Sequence, residues 1–93
     1  MDVRRSLEMS LSREEFFRLL PAAVEAFEPA GEAVRWSDGN RRGTIRLVPL
    51  PDRRLGGVVM PRHRIDIALD APTEADADAF MVRFHRGFLR GGG

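Results

Sequence analysis

Apolar and polar residues alternate along four stretches of the chain, which are residues 5–12, 32–37, 43–49 and 58–70. Alternation with a period of two is typical of a β-strand that buries one face and exposes the other. In the last stretch, Ile65, Ile67 and Leu69 share the face that we expect to be buried. Pro61 cannot donate a hydrogen bond to a neighbouring strand, so it marks an edge, a bulge or the true start of this strand.

A second pattern, with apolar residues every three or four positions, predicts a helix between the first two strands. Ser12 and Glu15 have the spacing of a capping box, in which each side chain bonds the backbone of the other residue. The apolar stripe then runs from Phe16 to Phe27. Pro21 interrupts this stripe by removing a backbone donor, so we expect either a kinked helix or two short helices in line. The continuity of the stripe favours the kink.

Residues 71–90 carry a similar apolar stripe and predict a second helix near the end of the chain. Thr73 and Asp76 have the spacing of a capping-box variant at its start. Acidic residues crowd the first turns and arginines crowd the last turns, which is the distribution that the helix dipole favours. We expect the three glycines at 91–93 to form a disordered tail.

The order of these elements predicts the fold class. We expect a single α+β domain over residues 1–90 with the order β-α-β-β-β-α, in which both helices pack on one face of an antiparallel sheet. The turn sequence around Gly39 predicts a hairpin between the second and third strands. Residues 49–57 contain two prolines and two glycines, so we expect a longer connection before the last strand.

Two registers of the third and fourth predicted strands keep their isoleucines on the buried face. One of them sets Arg46 opposite Arg64, which is a like-charge pair. The other sets Arg46 opposite Asp66 and Arg42 opposite Asp70. Opposite charges that face each other across a sheet stabilise it by roughly 0.2–1 kcal/mol, and like charges cost a similar amount. We therefore predict the second register.

The composition of the 93 residues excludes several kinds of site and predicts where the protein is located. The chain has no cysteine, which excludes disulfides, thiolate metal sites and cysteine nucleophiles. The arginines near the N-terminus are not followed by the apolar run of a signal peptide, and no apolar stretch approaches the roughly 20 residues that span a bilayer. We therefore expect a cytoplasmic protein that does not contact a membrane.

The basic residues are all arginine, and they concentrate in the middle of the chain. Residues 1–40 carry a net charge of −3, residues 41–64 of +6 and residues 65–93 of −2, although the whole chain carries only +1. In the predicted register, Asp66 and Asp70 offset two of the middle arginines. The positions that then lack an acidic neighbour, together with the adjacent histidine, form the candidate binding site for an anion or a partner: Arg41, Arg53, Arg54, Arg62, Arg64 and His63.

No pattern of catalytic residues accompanies this charge. His63 lies on the same face of its predicted strand as the buried isoleucines and has no acidic partner to orient it. We therefore interpret it as a residue at the rim of the core. His85 lies between arginines on the last helix, where it stabilises the helix end. Neither histidine belongs to a metal-ligand motif, and Gly56 and Gly57 lack the flanking sequence of a phosphate loop. We therefore expect no catalytic residue, no metal and no cofactor.

Two non-enzymatic functions of different classes remain, and an enzyme with a small site is a third option. The first is a non-enzymatic binding or accessory protein that contacts a protein partner or a second copy of itself. A homodimer is its expected form, because a small sheet exposes edges and a polar face. The alternative is a protein that binds nucleic acid or another polyanion through the cationic hairpin. The outward positions of the predicted sheet carry no aromatic side chain, so base stacking is not expected.

Overall fold

Five antiparallel strands form one sheet in the order β1-β5-β4-β3-β2. The computed structural model describes the backbone of residues 1–92 and the side chains of residues 1–89. The strands are β1 (Asp2–Met9), β2 (Ala26–Ala30), β3 (Ala33–Asp38), β4 (Arg41–Leu55) and β5 (Val58–Asp70). The helices are α1 (Arg13–Leu19), which a 3-10 turn at Leu20–Ala22 follows, and α2 (Glu74–Gly92). The predicted α+β class is confirmed, with one strand more than predicted.

The extra strand comes from the region that was predicted to continue the first helix. α1 ends at Leu19, and the chain extends into β2 after the 3-10 turn, so the expected helix as far as Phe27 is wrong. Pro21 lies at the start of the 3-10 turn, where its missing amide proton ends the α-helical bonding. β2 gains a full partner because the chain turns back at Gly31 and pairs with β3.

Each of the three hairpins turns on a two-residue loop that begins with glycine. Gly31, Gly39 and Gly56 have φ values of 67°, 66° and 60°, whereas the residue after each of them has no positive φ. A positive φ at the first loop position alone is the pattern of a type II′ turn, whose twist matches that of the paired strands. The hairpin predicted around Gly39 is confirmed.

β4 continues through the region that was predicted to be a long connection, so that only a two-residue turn separates it from β5. The expectation was wrong because Pro49 and Pro51 fit a strand at this place. Beyond Arg46, β4 has a neighbouring strand on one side only, and proline is compatible with an edge. A register shift beside Pro51 accommodates one extra residue in β4, as a β-bulge does.

The register of β4 and β5 is the predicted one. Arg46 lies opposite Asp66, and Arg42 lies opposite Asp70. Because parity fixes the face of every residue in a strand, this register also sets which side chains enter the core. The three residues of β5 that were predicted to face inward are buried: Ile65, Ile67 and Leu69.

The core lies between the apolar face of the sheet and the two helices. α1 begins at the predicted capping box, where the Ser12 hydroxyl accepts from the Glu15 amide at 3.1 Å and the Glu15 carboxylate accepts from the Ser12 amide at 3.2 Å. α2 lays its aromatic residues on the sheet, and the Phe80 ring stacks on Trp36 with 4.1 Å between the ring centroids. The largest fully buried side chains come from both layers: Phe16, Leu20, Ile45, Ile65, Phe80 and Phe84.

α2 starts with the predicted capping-box variant. The Thr73 hydroxyl accepts from the Asp76 amide at 3.1 Å and donates to the Asp76 carboxylate at 2.9 Å. The helix ends at Gly92, and Gly93 lies outside the described residues, so the expected disorder of residues 91–93 stays a prediction. Over the part of the chain that the structure describes, neither helix has the length and apolar content needed to cross a lipid bilayer.

β4 and β5 extend together beyond the other strands. β3 pairs with β4 only as far as Arg46, and β1 pairs with β5 only from His63 onwards. Residues 49–62 therefore form a two-stranded ribbon, here called the arm, which has no further strand at either edge within residues 1–92. The molecule consequently measures 46 Å along its longest axis but only 28 and 20 Å across.

The contact between α2 and the 3-10 turn provides a test of this packing. A Cβ atom at Gly87 would lie 2.5 Å from the Ala22 carbonyl oxygen and 2.7 Å from the Ala23 Cα. Both are backbone atoms, so Gly87→Ala should lower the free energy of unfolding by about 1–2 kcal/mol in urea denaturation. The overpacking cost of about 1–3 kcal/mol exceeds the gain in helix propensity of about 1 kcal/mol.

Gly57→Ala is the matched control, because a Cβ atom there would meet nothing within 4 Å. It should change the free energy of unfolding by less than about 0.5 kcal/mol. Equal stabilities of the two variants would contradict the close approach of α2 to the 3-10 turn.

Candidate functional site

The six residues of the predicted site do not lie in one cluster. Arg53 and Arg54 lie near the tip of the arm, and Arg41 lies at the opposite end of β4. The other three, Arg62, His63 and Arg64, lie where the arm joins the sheet. The contacts of each residue therefore decide whether it is available to bind a partner.

Arg62 and Arg64 are held by carboxylates, so the expectation that they lack acidic partners is wrong. Nη2 of Arg62 lies 2.9 Å from Oε2 of Glu8, and Nε of Arg64 lies 3.0 Å from Oδ1 of Asp66. For Arg62 the reason is the pairing of β1 with β5, which brings Glu8 next to it, whereas Arg64 is bound by Asp66 two residues along its own strand. Because 54 positions separate Glu8 from Arg62 in the sequence, local charge counting did not detect this ion pair.

Asp66 is the centre of a charge network on the face of the sheet that points away from the helices. Its carboxylate accepts hydrogen bonds from the Arg64 guanidinium and from the Ser6 hydroxyl. Arg46 lies opposite Asp66 but has its ion pair with Glu32, at 3.6 Å. The hydrogen bonds from Arg64 and Ser6, together with the nearby arginine charges, hold the pKa of the Asp66 carboxyl below its ordinary value.

Arg41 and His63 make contacts that support the fold. Nη1 of Arg41 donates to the Asp76 carbonyl oxygen in the first turn of α2 at 3.1 Å. Nδ1 of His63 lies 2.9 Å from the Leu11 carbonyl oxygen, and it must donate because a carbonyl oxygen only accepts. His63 is half-buried, which agrees with its interpretation as a residue at the rim of the core.

Within the described side chains, Arg53 and Arg54 have the unpaired positive charge that was predicted for all the arginines of the candidate site. Both are exposed, and neither forms an ion pair with a side chain of residues 1–89. Asp52, the acid beside them in the sequence, is exposed as well. The cationic surface of the arm is therefore reduced to two arginines beside one carboxylate.

The arm also carries an apolar stripe that sequence reasoning missed. Leu55 pairs with Val58 and Arg53 pairs with Met60, and cross-strand partners share one face of a sheet. Val58 and Leu55 are 58% and 52% exposed. Alternation along β5 puts Val58 and Met60 on the same face as Arg62, which is the face away from the helices. We call these residues the arm stripe: Leu50, Leu55, Val58 and Met60.

Prolines hinder the edges of the arm from pairing with another strand. Pro49 and Pro51 on β4 and Pro61 on β5 have no amide proton to donate to a further ladder. The edges of the arm are therefore poorly suited to the addition of a further strand. The sequence signal for the stripe was the alternation that puts Val58 and Met60 on one face, but Leu50 and Leu55 were given no face because residues 49–57 were predicted to be a connection.

The sheet face away from the helices, here called the open face, carries a groove of about 700 Å³. Its floor includes two short side chains, Ala68 of β5 and Thr44 of β4, which lie opposite each other. Arg4, Arg35 and Arg42 stand around this floor. Short residues in the middle of the face and long residues around them explain its concave shape.

Among residues 1–92, no three histidine, aspartate or glutamate side chains lie close enough together to hold a metal ion. Comparison of the chain with protein-family models, with curated proteins and with solved structures finds no match. The geometry of the arm and of the open face is therefore the basis for a functional proposal.

The network around Asp66 predicts a pH dependence. Because its pKa is lowered in the folded protein, ionised Asp66 stabilises the fold above its unfolded-state pKa, and this contribution is lost as the pH falls through the folded-state pKa. Arg64→Gln removes the main hydrogen-bond donor, so the pKa of Asp66 should rise towards its ordinary value. A carboxyl ¹³C NMR titration measures this change. Arg53→Gln on the arm is the control and should leave the titration of Asp66 unchanged, whereas the same curve in wild type and Arg64→Gln would contradict the assignment.

Proposed function

We propose that the protein is a non-enzymatic binding module that self-associates through the face of its arm. The observation that carries this proposal is the arm stripe, in which Leu55 and Val58 are more than half exposed. Contiguous apolar side chains on a protein surface are typical of an interaction site. A two-stranded ribbon is only marginally stable alone in water, so a partner that covers the stripe also stabilises the arm.

The stripe offers enough free energy for a modest contact. Full burial of a valine or leucine side chain stabilises a protein by roughly 1.5–3 kcal/mol, and a half-exposed one retains roughly half of this to gain. In a two-fold dimer each residue counts twice, because both copies present the same patch. A second copy therefore brings an apolar patch of the same size to the contact, which suits self-association.

The charges beside the stripe suit a two-fold arrangement. Asp52, Arg53 and Arg54 are adjacent and exposed. Arg53 pairs with Met60 and shares the face of the stripe, whereas Arg54 pairs with Val59 on the opposite face. When two arms lie antiparallel, Asp52 of one copy can approach Arg53 of the other, so that each copy supplies both members of an ion pair. A uniformly acidic partner would instead place a like charge next to Asp52.

Light scattering coupled to size-exclusion chromatography tests this proposal. The wild type should elute at twice the chain mass, with dissociation on dilution. The double variant L55S/V58S should be monomeric, because it replaces exposed apolar side chains of the stripe by hydroxyls. The dimer association constant should fall at least tenfold, since two apolar side chains are removed from the interface in each copy.

The double variant V82S/L89S is the matched control. Val82 and Leu89 lie on the outer side of α2 and are 58% and 64% exposed, close to the values of the two arm residues. This variant should remain a dimer. A wild type that is monomeric at every soluble concentration, or a dimer that dissociates in V82S/L89S but not in L55S/V58S, would contradict self-association through the arm.

A polyanion is the second candidate partner, and the observation that favours it is the exposure of Arg53 and Arg54 without ion pairs among the described side chains. If the arm binds single-stranded nucleic acid, R53A/R54A should weaken binding uniformly across sequences. The slope of log affinity against log salt should fall by about 0.7 for each phosphate that an arginine no longer neutralises. Fluorescence anisotropy with a labelled oligonucleotide measures both effects.

Arg18 and Arg86 provide the control for this second candidate, because both are exposed on the helical side of the molecule. R18A/R86A carries the same change in net charge and should leave the salt slope as in the wild type. Equal losses of affinity in the two double variants would show a nonspecific charge effect and exclude a site on the arm.

A further inference from the structure

The groove of the open face is separate from the arm stripe, and we propose that it binds a small organic oxyanion at Arg4 and Arg42. The ligand class is an aryl or alkyl molecule that carries one carboxylate or one phosphate group. This site adds a ligand to the self-association proposed above and does not depend on it. Three properties of the groove support the assignment, namely its register, its free charge and its apolar lining.

The register of the sheet brings the two arginines to the same floor. Arg4 of β1 lies opposite Ala68 of β5, which in turn lies opposite Thr44 of β4. Arg42 precedes Thr44 by two residues on β4, so both side chains point to the open face. The two arginines therefore reach the Ala68–Thr44 floor from different strands, and an anion above this floor lies between them.

Arg4 and Arg42 also have uncommitted guanidinium groups. Arg35, the third arginine of the groove, is held by Glu28 at 3.0 Å. Within the side chains that the structure describes, neither Arg4 nor Arg42 has its guanidinium group in an ion pair or a hydrogen bond. Two such groups can bind one carboxylate or phosphate with paired, charge-assisted hydrogen bonds.

Acidic residues also line the groove and limit the kind of ligand, namely Asp2, Glu28 and Asp70. Asp70 lies opposite Arg42, but its Oδ1 accepts from the Met1 amino group at 3.1 Å. Asp2 lines the groove beside it. A nucleic acid, with a phosphate at every residue, would approach these carboxylates, whereas a molecule with a single anionic group needs only the position between Arg4 and Arg42 above the Ala68–Thr44 floor. The charge distribution therefore favours a small ligand over a polyanion.

The remainder of the groove suits an apolar body. Ala26 of β2, Ala68 and the methyl group of Thr44 contribute short apolar surfaces to its lining. The aliphatic stems of the surrounding arginines extend this apolar surface, because their charge lies only at the end of the side chain. The volume of about 700 Å³ lies within the range of roughly 300–1,000 Å³ that is typical of small-molecule sites. A ring or short alkyl chain beside the anionic group can therefore cover the apolar lining.

Titration of the ¹⁵N-labelled protein with phenyl phosphate, benzoate and inorganic phosphate tests the proposal by NMR. We expect saturable shifts of the Thr44 and Ala68 amides with at least one aryl probe, at an affinity at least tenfold above that of inorganic phosphate. The ranking of phenyl phosphate and benzoate identifies the preferred oxyanion. R4Q and R42Q should each weaken binding at least tenfold.

Ala68→Leu provides a second line of evidence, because it fills the floor of the groove without changing the charge and should also abolish the shifts. R53Q/R54Q and L55S/V58S alter only the arm and should keep wild-type affinity, so failure of self-association and failure of this site are distinguishable. An unchanged urea midpoint verifies that each variant is folded. The absence of saturable shifts with every probe, equal affinity for inorganic phosphate, or unchanged binding in R4Q, R42Q and A68L would overturn the proposal.

Discussion

The pairing of β4 with β5 is the interaction on which the rest of the structure depends. This ladder runs from Arg42 opposite Asp70 to Leu55 opposite Val58 and forms the centre of the sheet. A slip of one residue would turn the buried isoleucines towards the open face and the arginines towards the core. β1 and β3 attach to its two edges, and the helices cover the face that its register makes apolar. The arm is the same ladder, continued beyond the ends of the neighbouring strands.

Those parts of the fold that depend on neighbours in the sequence, or on a single pair of strands, could be predicted. The capping box at Ser12 and the turn at Gly39 are local, and the register of β4 and β5 followed from charge and parity together. β2 could not be predicted, because its residue Phe27 continues the apolar stripe of α1 and the segment becomes a strand only through pairing with β3. The arm was missed for a related reason. Prolines indicate a loop unless it is known that one side of the strand has no neighbour.

The candidate site illustrates how charge along a chain differs from charge available in a fold. Arg62 and Arg64 belong to the most cationic segment. Arg62 is nevertheless bound by Glu8 of β1, which lies in the acidic first segment, and Arg64 is bound by Asp66 of its own strand. Arg4 lies in that acidic first segment, yet its guanidinium has no partner among the side chains of residues 1–89 and lies over the groove. The Arg64–Asp66 pair is local to β5, but the Arg62–Glu8 pair depends on the contact between β1 and β5, which no local pattern encodes. The net charge of each segment therefore located a cationic region but did not identify which of its arginines are accessible.

The position of β1 has a consequence for how the chain folds during synthesis. β1 is made before β5, which is its only partner strand within residues 1–92 and whose residue Asp70 lies opposite Asp2. Nascent β1 therefore has to stay unpaired while α1 and three other strands leave the ribosome. A strand pair with so large a sequence separation forms slowly, and its exposed edge is a target for chaperones in the meantime. The sheet becomes complete only when its earliest and its last strands meet.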